Sequence, residues 1–125
     1  MIYRKLDELM GSGRDVPWGN GQSRRFLIQS DNLGYSLTDT IVWAGTESLL
    51  EYSNHLEACY CIEGEGEVQI NDDVYKITPG CMYALDGNEK HYLRATTDLR
   101  LICVFRPALV GNERHDLNNA NGSTY

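Results

Sequence analysis

The sequence predicts an all-β fold, a single small barrel or sandwich with one short helix at its N-terminal end. Three observations predict it. Helical periodicity is absent after the first dozen residues. Short runs rich in β-branched and aromatic residues recur at near-regular spacing, and turn signals such as Ala44-Gly45-Thr46, Asn71-Asp72-Asp73 and Thr78-Pro79-Gly80 separate them. Within several runs the side chains alternate between apolar and polar, the two-residue period of a half-buried strand.

Taken in order, Tyr3 to Met10 reads as the helix, stopped by Gly11-Ser12-Gly13. Arg14 to Gln22 holds Pro17, Gly19 and Gly21 and reads as a loop. Strands are expected over Arg25–Gln29, Tyr35–Trp43, Ser48–Tyr52, Ala58–Ile62, Glu65–Ile70, Val74–Ile77, Met82–Leu85, His91–Ala95 and Leu99–Phe105. Leu99, Leu101, Cys103 and Phe105 share one face of the last strand. Its other face is also apolar at Ile102 and Val104, so this strand is expected to be central. Glu57 falls on the same face as Cys59 and Cys61 if their strand begins that early. A carboxylate in that line points inward, which costs several kcal/mol unless it is paired or binds a cation. The polar stretch 118–125 is expected to be a flexible tail.

The chain has 125 residues, the size of one domain, and the barrel core is expected at about 34–108. With 42% hydrophobic and 23% charged residues it has material for one core and too little charge for disorder. Eleven Lys and Arg against eighteen Asp and Glu leave a net charge of −7, which disfavours nucleic acid and anionic membranes as partners. No stretch approaches the roughly 18 apolar residues of a membrane span. The N-terminus has no apolar secretory segment, so a cytoplasmic location and free thiols at Cys59, Cys61, Cys81 and Cys103 are expected. Cys59 and Cys61 form C-x-C with no second pair at zinc-site spacing, and they read as small buried hydrophobes.

One spacing carries chemistry. Cupin barrels show a Gly, five residues, His-x-His, three or four residues, Glu, six residues and Gly. Gly45, Glu51-x-Ser53, Glu57 and Gly64 keep that spacing with both histidines replaced. A second cupin motif puts a His three residues after the Gly of a Pro-Gly turn, and here Pro79-Gly80 puts Tyr83 there. The frame is therefore that of a jelly-roll cupin without its usual three histidines. Glu57 and Tyr83 occupy two of its four metal-ligand positions, and His91 on the next strand is a third candidate. A carboxylate, a phenolate and an imidazole suit Fe(II) or another first-row divalent ion. A free Tyr titrates near ~10, so the cation itself must favour the phenolate. Taken singly, a Tyr or His in a barrel reads as core or as a satisfied polar group.

Several segments are similar to ectoine synthases. They include Ser23-Arg24-Arg25, Ala44-Gly45-Thr46-Glu47, Asn54-His55-Leu56-Glu57-Ala58, Tyr60 through Glu67, Met82-Tyr83-Ala84-Leu85-Asp86, His91-Tyr92-Leu93-Arg94-Ala95, Asp98 through Phe105, and Gly111 with His115-Asp116. The resemblance runs colinearly from about Met1 to Asp116. It implies a metal-dependent hydro-lyase that closes N-γ-acetyl-L-2,4-diaminobutyrate to the compatible solute ectoine with loss of water. It implies Fe(II) on Glu57, Tyr83 and His91, and a homodimer. It implies a substrate pocket of Arg25, Thr40, Tyr52, His55, Phe105, Glu113 and His115, with Tyr52, His55, Glu113 and His115 in the catalytic roles. Arg25 suits a carboxylate, hydroxyls and imidazoles move protons, and an aromatic wall excludes water.

The departures concern the pocket wall. Gly21 stands where the family usually has Trp, Thr38 where a larger polar residue is usual, and Glu51 where a His is frequent. Gly21 and Thr38 lead to the expectation of a roomier pocket and a related enzyme of broader specificity, unless Trp18 supplies the wall. A non-catalytic binding cupin is the alternative from another class, and the retention of Glu57, Tyr83 and His91 weighs against it.

Overall fold

The computed structural model describes residues 1–118 and 123–124. The helix α1 is a single turn, Leu6–Leu9, shorter than the expected Tyr3–Met10, and it buries Leu9. The strands are β1 (Asp15–Pro17), β2 (Gly21–Leu27), β3 (Ser36–Val42), β4 (Glu47–Glu51), β5 (Leu56–Glu63), β6 (Gly66–Ile70), β7 (Asp73–Ile77), β8 (Met82–Leu85), β9 (His91–Ala95), β10 (Leu99–Arg106) and β11 (Ser123–Thr124). They form a six-stranded sheet ordered β1-β2-β3-β10-β5-β8 and a five-stranded sheet ordered β11-β4-β9-β6-β7. All pairings are antiparallel except β11 on β4. The apart-in-sequence neighbours β3-β10-β5 and β4-β9-β6 make this the two-sheet jelly-roll arrangement.

Alternation decides what enters the space between the sheets. β10 buries Leu99, Leu101, Cys103 and Phe105 on one face, and on the other Ile102 is half-buried and Val104 exposed. It is central, between β3 and β5, as its two-sided apolar pattern predicts. β5 starts at Leu56, so Glu57 points inward together with Cys59 and Cys61. From the opposite sheet come Leu50, Val68, Ile77, Leu93 and Ala95. Full burial of such aliphatic side chains contributes about 1.5–3 kcal/mol each. The turn before β6 needs Gly64: it has φ +92°, and a Cβ there would stand 2.0 Å from the Asp98 carbonyl oxygen.

The segment read as a loop, Arg14–Gln22, instead contains β1 and the start of β2. Asp15, Val16 and Pro17 pair with Arg24, Ser23 and Gln22. Pro17 is compatible because β1 is a short edge strand, where a missing N–H is tolerated. β2 therefore begins before the expected Arg25 and ends at Leu27, and Gln29–Asp31 is a 3-10 turn. The stretch 118–125 lies largely outside the described residues; the backbone of Ser123 and Thr124 pairs with Leu50 and Glu51.

On the outer side of the larger sheet, Asp39 ties three strands. Arg24 on β2 donates to its carbonyl at 2.8 Å and its carboxylate at 2.7 Å, and Arg100 on β10 reaches the carboxylate at 2.7 Å. Arg24 is thereby committed to the outer face, opposite Arg25.

Candidate active site

A narrow, partly open cavity lies between the sheets. Its wall combines Trp18, Ser23, Thr40, Tyr52, Glu57, Cys59, Tyr83, Cys103 and Phe105 with aliphatic side chains. Each donor arrives by strand alternation: Glu57 and Cys59 from β5, Tyr83 from β8 opposite Cys59, and Cys103 and Phe105 from β10 opposite Cys59 and Glu57. Thr40 on β3 shares a 2.9 Å hydroxyl contact with the fully buried Thr38.

Glu57 is buried, and the Cys59 thiol and the Tyr52 hydroxyl hydrogen-bond its carboxyl. Burial pushes the carboxyl up to about 7, and those two hydrogen bonds offset only part of the rise. The Tyr83 hydroxyl is pushed above its ordinary value by burial and then by the nearby Cys59, Glu57 and Cys103. His91 donates from Nδ1 to the Glu89 carbonyl at 3.0 Å, which fixes its tautomer, and its buried Nε2 has no hydrogen-bond partner among the described residues. Burial holds its imidazole below the ordinary His value. A neutral imidazole with its second nitrogen oriented by a carbonyl is the usual arrangement of a metal-binding His. His91 stands on β9 in the other sheet, with its ring 5.9 Å from that of Tyr52, and is not part of the cavity wall itself.

A second cluster adjoins the first through aromatic rings. Tyr52 meets Phe105 at 5.3 Å and His115 at 5.3 Å, edge to face, and Phe105 meets His55 at 6.2 Å. Arg25 is fully buried; it donates to the Glu113 carbonyl at 2.7 Å and lies 3.4 Å from Glu113 Oε1. The backbone N–H groups of Val110 and Gly111 donate to the Glu113 carboxylate at 2.7 and 2.8 Å. Burial pushes that carboxyl up, but these N–H groups and then Arg25 outweigh it and hold it below the ordinary value. His55 donates from Nδ1 to the Pro107 carbonyl at 2.8 Å and turns Nε2 toward Glu113 Oε2 at 4.0 Å. The structure thus joins Arg25, His55 and Glu113 in one cluster, brings His55 and His115 against the Phe105 and Tyr52 rings, and links Glu57 to Tyr52 and, through Cys59, to Tyr83.

The roomier pocket expected from Gly21 is not what the fold shows. Trp18 is buried in the cavity wall, with its indole N–H on the Ile41 carbonyl at 3.0 Å. A Cβ at Gly21 would meet that same carbonyl oxygen at 1.7 Å and the Trp18 Nε1 at 2.9 Å. The glycine is the space into which Trp18 and strand β3 close. Cys59 and Cys103 are site residues that sequence reasoning placed in the core. Alternation from Glu57 and from Phe105 was the signal that put both sulfurs on the cavity face.

Comparison with known proteins identifies the family. The family model for ectoine synthase matches residues 1–124. The chain belongs to the ectoine synthase family. It is 52% identical over 118 residues to an L-ectoine synthase of Oceanobacillus iheyensis, covering 93% of this chain and 92% of the relative. A crystal structure of ectoine synthase from P. lautus superposes with a TM-score of 0.86 at 52% identity, covering 89% of this chain and 81% of that one. A Cupin_2 domain of an XRE-family transcriptional regulator from Enterobacter cloacae, 16% identical, matches with a TM-score of 0.56 over 70% of this chain and 97% of its own, a likeness of fold alone. The chain is an enzyme of the ectoine synthase type, a carbon–oxygen lyase on a cupin barrel.

Proposed function

We propose that this enzyme closes N-γ-acetyl-L-2,4-diaminobutyrate to ectoine with a divalent cation, Fe(II) in the first instance, held by Glu57, Tyr83 and His91. The observation that carries the metal reading is the pairing of a buried carboxyl held by a thiol and a hydroxyl with a buried, tautomer-fixed imidazole nitrogen that has no hydrogen-bond partner among the described residues. Bound there, the ion supplies Lewis acidity toward the acetamide carbonyl.

The remaining chemistry belongs to the second cluster. The α-amine must lose a proton before it attacks the amide carbon. Glu113 is held ionised and His55 faces it, so this pair can take that proton and return it to the departing water. Arg25 stands beside Glu113 and is the cation available to the substrate carboxylate. Tyr52 sits between the two clusters, where its hydroxyl and the His115 imidazole can hold the carbonyl oxygen as it becomes a hydroxyl. Thr40, Phe105 and Trp18 hold the methyl and methylene groups in a folded pose and exclude water, and such preorganisation is worth up to ~7–11 kcal/mol in favourable intramolecular systems. Trp18 in the wall supports a narrow pocket over one of broadened specificity.

A homodimer fits the outer face of the larger sheet, where Leu56, Tyr60, Met82 and Val104 are exposed. A cytoplasmic setting fits four free cysteines. Incubation of Fe(II)-loaded protein with the acetylated diamino acid, followed by chromatography for the cyclic amidine, tests the reading. Absence of product with iron bound would overturn it.

A further inference from the structure

Two thiols face each other in the cavity wall, and the function proposed above gives them no role. Cys103 Sγ–H donates to Cys59 Sγ at 3.3 Å across the β10–β5 pair, and each residue is 2% exposed. The Cys59 thiol also hydrogen-bonds the Glu57 carboxyl and the Tyr83 hydroxyl. One oxygen of Glu57 and the two sulfurs all lie within 4.8 Å of one another, and this is the one such His, Cys, Asp or Glu cluster among the described residues.

We propose that Cys59 and Cys103 form a chelating thiol pair which, with Glu57, binds thiophilic divalent cations of the zinc and cobalt class. This mode competes with the Glu57–Tyr83–His91 set for the shared carboxylate. The inference rests on the proposed role of Glu57 as a metal ligand.

Two thiolates on one tetrahedral zinc, at about 2.3 Å each, stand about 3.8 Å apart. The sulfurs need to separate by only about 0.5 Å from their present contact to embrace an ion, a small χ1 rotation on fixed strands. Two sulfurs and one carboxylate oxygen make a soft donor set, which favours zinc over magnesium or calcium. The donor set changes from O,O,N to S,S,O with the choice of ion, and the Glu57 carboxylate is common to both.

Cobalt(II) tests this, because thiolate ligation to cobalt produces a charge-transfer absorption that oxygen and nitrogen donors do not. Cobalt is titrated into metal-free full-length protein, wild type and Cys59→Val, Cys103→Ala, Cys103→Ser, Cys61→Ala and Cys81→Ala, with circular dichroism to verify folding and dialysis to count bound ion. The expected result is the band at one equivalent in the wild type, kept in the Cys61 and Cys81 variants and lost in the Cys59 and Cys103 variants. Zinc affinity in those last variants should fall at least tenfold, the order that even outer-shell changes cost. A stoichiometric cobalt complex without the band, or a band that survives Cys59→Val and Cys103→Ala, overturns the inference and leaves the iron reading standing. A cysteine-dependent band together with unaltered Fe(II) binding in Tyr83→Phe and His91→Ala supports the thiol site and overturns the iron set.

Discussion

Replacing Glu57 by Gln in metal-free protein separates what its carboxyl does for folding from what it does for a cation. The carboxyl titrates near 4.5 when exposed and at about 7 in the folded chain, because burial disfavours its charge. Between those pH values the folded state keeps a proton that the unfolded state has lost, so stability falls as pH rises through that window and levels off above about 7. At about 1.4 kcal/mol per pH unit, the fall is about 3 kcal/mol. Gln keeps the shape and carries no charge. Glu57→Gln should therefore match the wild type near pH 4.5 and exceed it by about 3 kcal/mol at pH 8, in chelator. A saturating divalent ion should stabilise the wild type by ligand linkage and leave the variant unmoved. Urea denaturation at both pH values, with and without metal, measures all four states. Parallel pH profiles for the two proteins would refute the account of Glu57 as an uncompensated carboxyl, and equal stabilisation of both by metal would refute its role as a ligand.

Other expectations follow from the same contacts. Tyr83→Phe and His91→Ala should each lower iron content measured by plasma emission by tenfold or more, with the fold intact by circular dichroism. Arg25→Ala should cost about 3–5 kcal/mol of stability, since it strands the Glu113 carboxylate, and should raise KM. Arg24→Ala should leave KM unchanged, because Arg24 faces Asp39 on the outer side; a KM effect of Arg24→Ala alone would reverse the two faces. Gly21→Ala should destabilise by about 3 kcal/mol, the upper end for overpacking, since the added methyl meets backbone at 1.7 Å, and should quench or shift the Trp18 fluorescence.

What was legible in the sequence is what local rules control. Two-residue alternation placed Leu99, Leu101, Cys103 and Phe105 inward and put Glu57 in line with Cys59, and the structure keeps both. The β1–β2 hairpin was not legible, since Pro17, Gly19 and Gly21 carry turn chemistry. They are tolerated there because β1 is a short edge strand and β2 must let Trp18 close in. Cavity-facing Glu57 and Tyr83 could be read from the cupin spacing, because they lie on the paired strands β5 and β8. The ion pair between Arg25 and Glu113 spans 88 residues, and the contact between Cys59 and Cys103 spans 44. Both depend on strand register and on a returning C-terminal segment, which no local pattern encodes.

The surroundings of the two acidic side chains, Glu57 and Glu113, push their carboxyls in opposite directions. Glu113 receives two backbone N–H bonds and an arginine, so its charge is balanced and it remains an anion able to hold an ammonium group or take its proton. Glu57 receives a thiol and a phenol, neither of which balances a charge, so burial pushes its carboxyl up to about 7 and a bound cation would favour its ionised form. Carboxyl groups driven apart in this way mark a division of labour. On the proposed reading, the charged α-carbon of the acetylated diamino acid is expected beside Arg25 and Glu113, where opposite charges are already fixed. Its neutral acetamide is expected beside the buried Glu57, where burial strengthens whatever positive charge is brought to the carbonyl oxygen.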